Sequence, residues 1–222
     1  MADQALWDDL LPYLPPSRPI RYADLNTGTS IAAMAHAVLA GAPPQFTLVG
    51  FSMGGYVARA IAHLAPARVT DLILVASSAR PDRPELVLQR VAAARQARVA
   101  AFHGLSRGAI RASLHRDRAG DTAMIERVRS MGARLGADVF LQQTAVVRAG
   151  DVDTLGGIAC PTLVIAADGD QLRSVEEGRE QADAIPGADF AIVEHAGHMI
   201  PLEAPAVLGR IMSTWLAARA AH

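Results

Sequence analysis

Lysine is absent from this 222-residue chain, and cysteine occurs once, as Cys160. A single cysteine excludes an internal disulfide framework and any multi-cysteine metal site. No apolar run approaches the length of a membrane span. The start, Met1-Ala2-Asp3-Gln4 with Asp8 and Asp9 close behind, lacks the positive charge and apolar stretch of a secretory signal, so cytoplasm is the expected compartment. No G-x-G-x-x-G, G-K-[ST] or H-E-x-x-H occurs, and His195 and His198 have no third ligand beside them in the sequence, so neither a phosphate loop nor a zinc site is expected. The net charge of −1 gives no overall field to recruit nucleic acid or an acidic membrane.

What remains is 51% hydrophobic and 19% charged, the balance of one globular domain with room for a small insertion. All 21 basic residues are arginine, beside an excess of alanine, which reads as compositional bias more than function. Their placement is uneven. Residues 80–148 hold 13 Arg against 6 Asp and Glu, a balance of +7, and the remainder hold 8 against 16, a balance of −8.

Strand and helix signals alternate at both ends. Residues 20–25 (IRYADL), 45–51, 70–77, 161–167 and 189–194 read as strands. Residues 30–40 with Ser30 as N-cap, 53–64, 174–185 with Ser174 as cap, and 201–219 read as helices. Continuous apolar strands separated by helices indicate a parallel sheet covered on both faces. Residues 82–148 break the rhythm with helix-forming sequence and no strand, the pattern of a helical insertion.

Residues 50–55, Gly-Phe-Ser-Met-Gly-Gly, follow an apolar strand and open a helix. That is the context of a G-x-S-x-G nucleophile elbow. A serine on a strained strand-to-helix turn projects its hydroxyl from the sheet edge, and flanking Gly50 and Gly54 avoid a Cβ clash across the turn. The helix start turns the Met53 N–H toward a developing oxyanion. The serine needs a base. Of seven histidines, His195 and His198 follow a strand, and His198 stands beyond the Ala196-Gly197 turn, on the edge where Ser52 emerges. The base needs a carboxylate. Asp168 and Asp170 follow the 161–167 strand, with Asp170 farther into the loop and Asp168 placed to brace the turn; Asp82 is a further alternative. The order Ser52, Asp170, His198 differs from those of the two main serine-protease groups.

GFSMGG, CPTLVIAADGDQL and EHAGHMIPLEAP together resemble the α/β-hydrolase superfamily, especially small bacterial esterases, lactonases and haloperoxidase-like hydrolases with a helical cap. The resemblance runs from about residue 5 to residue 217 and implies Asp170 as the acid and His198 as the base; Ala167 stands where those proteins usually have glycine. It also implies a strand and a His-Gly or Pro-Gly loop ahead of the ADQALWDDLLPYL segment, giving a second oxyanion N–H and lying in the sheet between residues 20–25 and 45–51. The expectation is that this segment is missing and that Met1 is an internal methionine of a longer product.

The resulting expectation is an α/β fold, mostly parallel, with a hydrolase core over 1–81 and 149–222 and a helical cap over 82–148. The expected chemistry is cleavage of a small ester, thioester or lactone by Ser52, Asp170 and His198, with Met53 N–H in the oxyanion hole and without cofactor or metal. Phe51 and Met199 are expected to line an acyl pocket or simply to pack. Cys160 is expected in the core, and Glu203 at the favourable start of the last helix. The Arg-rich cap is read as a solvated face or as a seat for an acidic carrier protein. A non-catalytic protein that binds a ligand or partner on the same fold is the alternative.

Overall fold

The computed structural model describes residues 2–16, 18–99 and 101–220. Its elements run α1 (Ile31–Gly41), β1 (Phe46–Phe51), α2 (Met53–Leu64), β2 (Val69–Val75), α3 (Pro84–Val99), α4 (Arg107–Ser113), α5 (Thr122–Ala145), β3 (Thr162–Ala167), α6 (Val175–Ala184), β4 (Asp189–Val193), α7 (Ile200–Glu203) and α8 (Pro205–Ala220). The four strands pair in parallel in the order β1-β2-β3-β4.

Alternation along β2 sends its side chains into two layers. Leu72 and Leu74 join Met34, Val57, Ile61, Val164 and Ile185 on the face covered by α1, α2 and α6. Ile73 and Val75 join Leu163, Ile165, Val193, Leu208 and Met212 on the face covered by α8. Each of these four β2 side chains is fully buried, a burial that stabilises by roughly 1.5–3 kcal/mol apiece. Burial on both faces is why the strand reads as a continuous apolar run. Cys160 packs in the first layer, and burial pushes its thiol pKa up.

The helix starts follow their caps. Ser30 Oγ accepts from Ala33 N at 3.1 Å, and Ser174 Oγ accepts from Glu177 N at 3.3 Å. The closing helix is not continuous. Ala204 leaves helical geometry at φ −140° ahead of Pro205, whose ring disfavours the α region for the preceding residue.

The strand expected over residues 20–25 is not formed. The segment takes no regular structure and makes no bridge, and Ile20 and Tyr22 are exposed. The physical reason is pairing: among the described residues β1 is the edge of the sheet, and no strand pairs with it on the side away from β2. Met1 lies outside the described residues.

Residues 82–148 carry α3, α4 and α5, the last broken at Gly136 (φ 82°). Ile110, Leu114, Ile125, Val128 and Met131 form an apolar cluster with Leu6, Met199 and Leu202, which seats α4 and α5 on the loop after β4. Some arginines of this segment are tied to acids elsewhere: Arg134 meets Asp3 at 2.7 Å and Arg127 meets Asp9, whereas Arg90 meets Asp82 at 2.5 Å within the segment. The uneven charge of the sequence thus serves in part to attach the segment to the rest of the molecule.

Candidate active site

Ser52 sits between the end of β1 and the start of α2 with φ 52° and ψ −116°, a strained geometry for a residue with a Cβ. It is held there by its N–H donating to Val75 O at 2.9 Å and by Gly55 N donating to its carbonyl at 3.0 Å. Gly50 is what permits the turn: a Cβ there would lie 2.6 Å from Gly54 O and 2.8 Å from Ala58 Cβ. The clash expected at Gly54 is not found. A Cβ at that position meets only Leu25 at 3.9 Å, because the tight approach is made by Gly50 against the Gly54 backbone. Met53 is the first residue of α2, and an N–H in that first turn has no partner within the helix.

His198 Nε2 lies 2.9 Å from Ser52 Oγ, and its Nδ1 lies 2.8 Å from Asp170 Oδ2. The other oxygen, Asp170 Oδ1, accepts from Leu172 N at 2.7 Å and Arg173 N at 3.0 Å, which fixes the carboxylate plane. With the carboxylate as acceptor, Nδ1 carries the proton and Nε2 presents a lone pair to the serine hydroxyl. Asp170 and His198 are each 6% exposed, so the acid and base are largely shielded from water, while Ser52 is half-buried. The structure therefore brings Ser52, His198 and Asp170 together from three separate elements.

The alternatives lie elsewhere. Asp168 Oδ1 accepts from Ala196 N at 3.4 Å and braces the turn after β3. Asp82 is ringed by Arg90, Arg148 and Arg173. His195 is exposed, in the left-handed region at φ 56°, with its ring edge-on to His115. Phe51 stands against the His198 ring at 5.1 Å between centroids and edge-on to Trp7 at 6.2 Å. Met199 is 5% exposed within the cluster that seats α4 and α5.

The role of one contributor, Glu203, was misplaced in the sequence, and a second contributor was missed. Glu203 stands just ahead of α8, but its hydrogen bonds go to loop N–H groups. It closes α7, is 5% exposed, and accepts from Gly197 N at 3.0 Å, Met199 N at 3.1 Å and His115 N at 2.7 Å. It thereby grips the loop on both sides of His198 and ties it to the 82–148 segment. Burial outweighs these bonds and pushes its carboxyl pKa up. The spacing of an acid five residues after His198 was the available signal. His198 N also donates to Ser113 O at 2.8 Å. That approach requires Gly197, since a Cβ there would strike the Leu114 and His115 backbone.

Arg59, fully buried on α2, is the second. Its Nε and Nη2 donate to the two Asp151 oxygens at 2.7 Å each, its Nη1 to Gln181 Oε1 and Ser77 Oγ, and its Nη2 also to Ser78 O at 2.9 Å. This fork anchors the helix behind Ser52 to α6 and to the 151–158 turn. A lone arginine in an apolar helix gave no pattern by which to find it.

A family model described as the alpha/beta hydrolase fold matches residues 13–205. A putative carbamate hydrolase, RutD, of Variovorax paradoxus is 33% identical over 212 residues, covering 88% of this chain and 76% of that protein. A pimeloyl-[acyl-carrier protein] methyl ester esterase of Photobacterium profundum is 40% identical over 84 residues; the match spans only 33% of its length and 34% of this chain. Among solved structures, a thermophilic esterase from Thermogutta terrifontis superposes with a TM-score of 0.78 at 27% identity over 98% of this chain and 86% of its own. The enol-lactonase from Burkholderia xenovorans shares the fold with the same TM-score at 20% identity, covering 97% of this chain and 87% of that one. No helix among the described residues is long and apolar enough to cross a membrane. On the family match over residues 13–205 and the relative matched over 76% of its length, the chain belongs to the α/β-hydrolase family.

Proposed function

We propose that this chain is a serine hydrolase that cleaves a small ester, thioester or lactone through an acyl-enzyme. The observation that carries the reading is the hydrogen-bonded line Ser52–His198–Asp170, at 2.9 and 2.8 Å, on a strained strand-to-helix turn. Ser52 Oγ attacks the acyl carbon while His198 Nε2 takes its proton. Asp170 holds the imidazole in the required tautomer and stabilises its charged form. The Met53 N–H donates to the tetrahedral oxyanion. His198 then returns the proton to the leaving oxygen or sulfur. In the second half it takes a proton from water, which releases the acid and restores Ser52.

Residues 82–148 act in this reading as the cap. Phe51, against the His198 ring, walls the acyl site, and Met199 backs it from the cap cluster. The carbamate hydrolase and methyl ester esterase relatives support hydrolysis at an acyl carbon. The carrier-protein esterases also support an acidic carrier partner, for which Arg111, Arg116 and Arg118 are exposed on the cap.

The test is turnover of a panel of short-chain and medium-chain p-nitrophenyl esters by the wild type and by Ser52→Ala. The reading expects hydrolysis by the wild type and near-complete loss in the variant. A folded Ser52→Ala protein with wild-type turnover sinks it.

A further inference from the structure

We propose a divalent zinc-type metal site formed by His115, Asp117 and His195, which joins the 82–148 segment to the loop that carries His198. The sequence shows no third ligand near His195. The fold supplies two, because the turn after α4 is carried onto the β4–α7 loop. One ligand atom from each of the three residues lies within 4.8 Å of the others.

The donor set suits the metal. Two imidazoles and one carboxylate are a common zinc set, and three protein ligands leave the fourth tetrahedral position to water. Bonds of about 2.0–2.1 Å at tetrahedral angles put neighbouring ligand atoms roughly 3.3 Å apart. His115 Nδ1 and Asp117 Oδ2 already stand 3.4 Å apart. His115 Nδ1 accepts from Asp117 N at 3.3 Å, a long bond that coordination of Nδ1 would replace. The one basic neighbour in contact with the carboxylate, Arg116, reaches its other oxygen at 3.9 Å and leaves Oδ2 turned to His115.

The ligands differ in mobility in a useful way. His115 is 6% exposed, and its backbone N–H is held by Glu203, so it is a fixed anchor. Asp117 and His195 are exposed and free to close by the up to about 1.5 Å that coordination needs. His195 is three residues from His198, and His115 is two from Ser113, whose carbonyl holds His198 N. A bound ion would therefore fasten the segment to the loop directly behind the histidine.

The experiment titrates zinc ion alone into the full chain by calorimetry, with thermal melts and hydrogen exchange in parallel. The variants are Asp117→Asn and His195→Asn; asparagine tolerates the left-handed backbone of residue 195, and residue 117 is exposed. Urea midpoints confirm that both fold. The expected result is one ion per chain at micromolar affinity, weakened at least about tenfold in each variant. At a hundredfold excess over Kd the wild-type Tm rises by roughly 5–10 °C, with slower exchange at residues 113–118 and 194–199. Absence of saturable binding up to millimolar zinc, or equal affinity in wild type and both variants, overturns the proposal. None of these readouts needs hydrolytic activity, so they stand apart from the reaction proposed above.

Discussion

Asp170→Asn makes a prediction whose size and direction come from the hydrogen bonds around one carboxylate. Oδ1 accepts from two backbone donors, Leu172 N and Arg173 N, whereas Oδ2 faces His198 Nδ1. In the asparagine variant the amide oxygen must occupy the Oδ1 position, because an NH₂ there would oppose two N–H groups. The NH₂ is then turned toward His198 and forces Nδ1 to accept. Nε2 becomes protonated and donates to Ser52 Oγ instead of taking its proton. A wrong-tautomer substitution of this kind lowers kcat by about 10⁴ in the chymotrypsin-type triad, which corresponds to about 5 kcal/mol of transition-state stabilisation. Stability should change by less than about 2 kcal/mol, since both backbone bonds survive. The assay is kcat on p-nitrophenyl acetate beside urea denaturation, with Asp168→Asn as the comparison, which should stay within about tenfold of wild type because Asp168 makes only a long 3.4 Å bond to Ala196 N, which an asparagine oxygen can also accept, and does not touch His198. Activity of Asp170→Asn within tenfold of wild type, in a folded protein, would refute the reasoning.

Glu203→Ala leaves the N–H groups of His115, Gly197 and Met199 without their acceptor; at about 1–3 kcal/mol for each buried orphan, less the relief of a buried charge, a loss of about 3–5 kcal/mol is expected in urea, with a fall in kcat. Burial raises the native Glu203 carboxyl above its ordinary 4.5, so the native state holds a proton that the unfolded chain has released. Relative to Glu203→Gln, the wild type should therefore gain stability as pH falls through that window and lose the gain as pH rises above the native value, which parallel urea titrations measure. Arg59→Met strands the Asp151 carboxylate and Gln181 and should cost about 3–5 kcal/mol in chemical denaturation. Gly197→Ala places a Cβ on the Leu114 and His115 backbone, and the displaced His198 should lower kcat about 10²-fold with a smaller effect on KM.

The parts of the fold that could be read in the sequence are those specified by local chemistry. Apolar runs marked all four strands of the sheet, and Ser30 and Ser174 marked helix starts that the structure caps as expected. The 20–25 segment has the composition of a strand, but strand formation depends on a neighbour, and β1 offers it none. Ser52, Asp170 and His198 could be picked out because each follows a strand on the same edge of the sheet. Arg59 could not, since its partners Asp151 and Gln181 are distant in sequence, and neither could the Glu203 contact to His115 or the approach of His115 and Asp117 to His195. The arginine excess of residues 80–148 was visible as a number, but its pairing with Asp3, Asp9 and Asp82 was not.

The central claim is that His198 and Asp170 make Ser52 a nucleophile. Incubation with a fluorophosphonate probe, followed by peptide mass spectrometry, tests it without any choice of substrate. The account predicts one adduct per chain, on Ser52, lost in Ser52→Ala and strongly slowed in Asp170→Asn and His198→Ala. Folded wild-type protein that takes up no probe, or takes it up equally in the His198 variant, would contradict it and favour a protein that binds rather than cleaves its ligand.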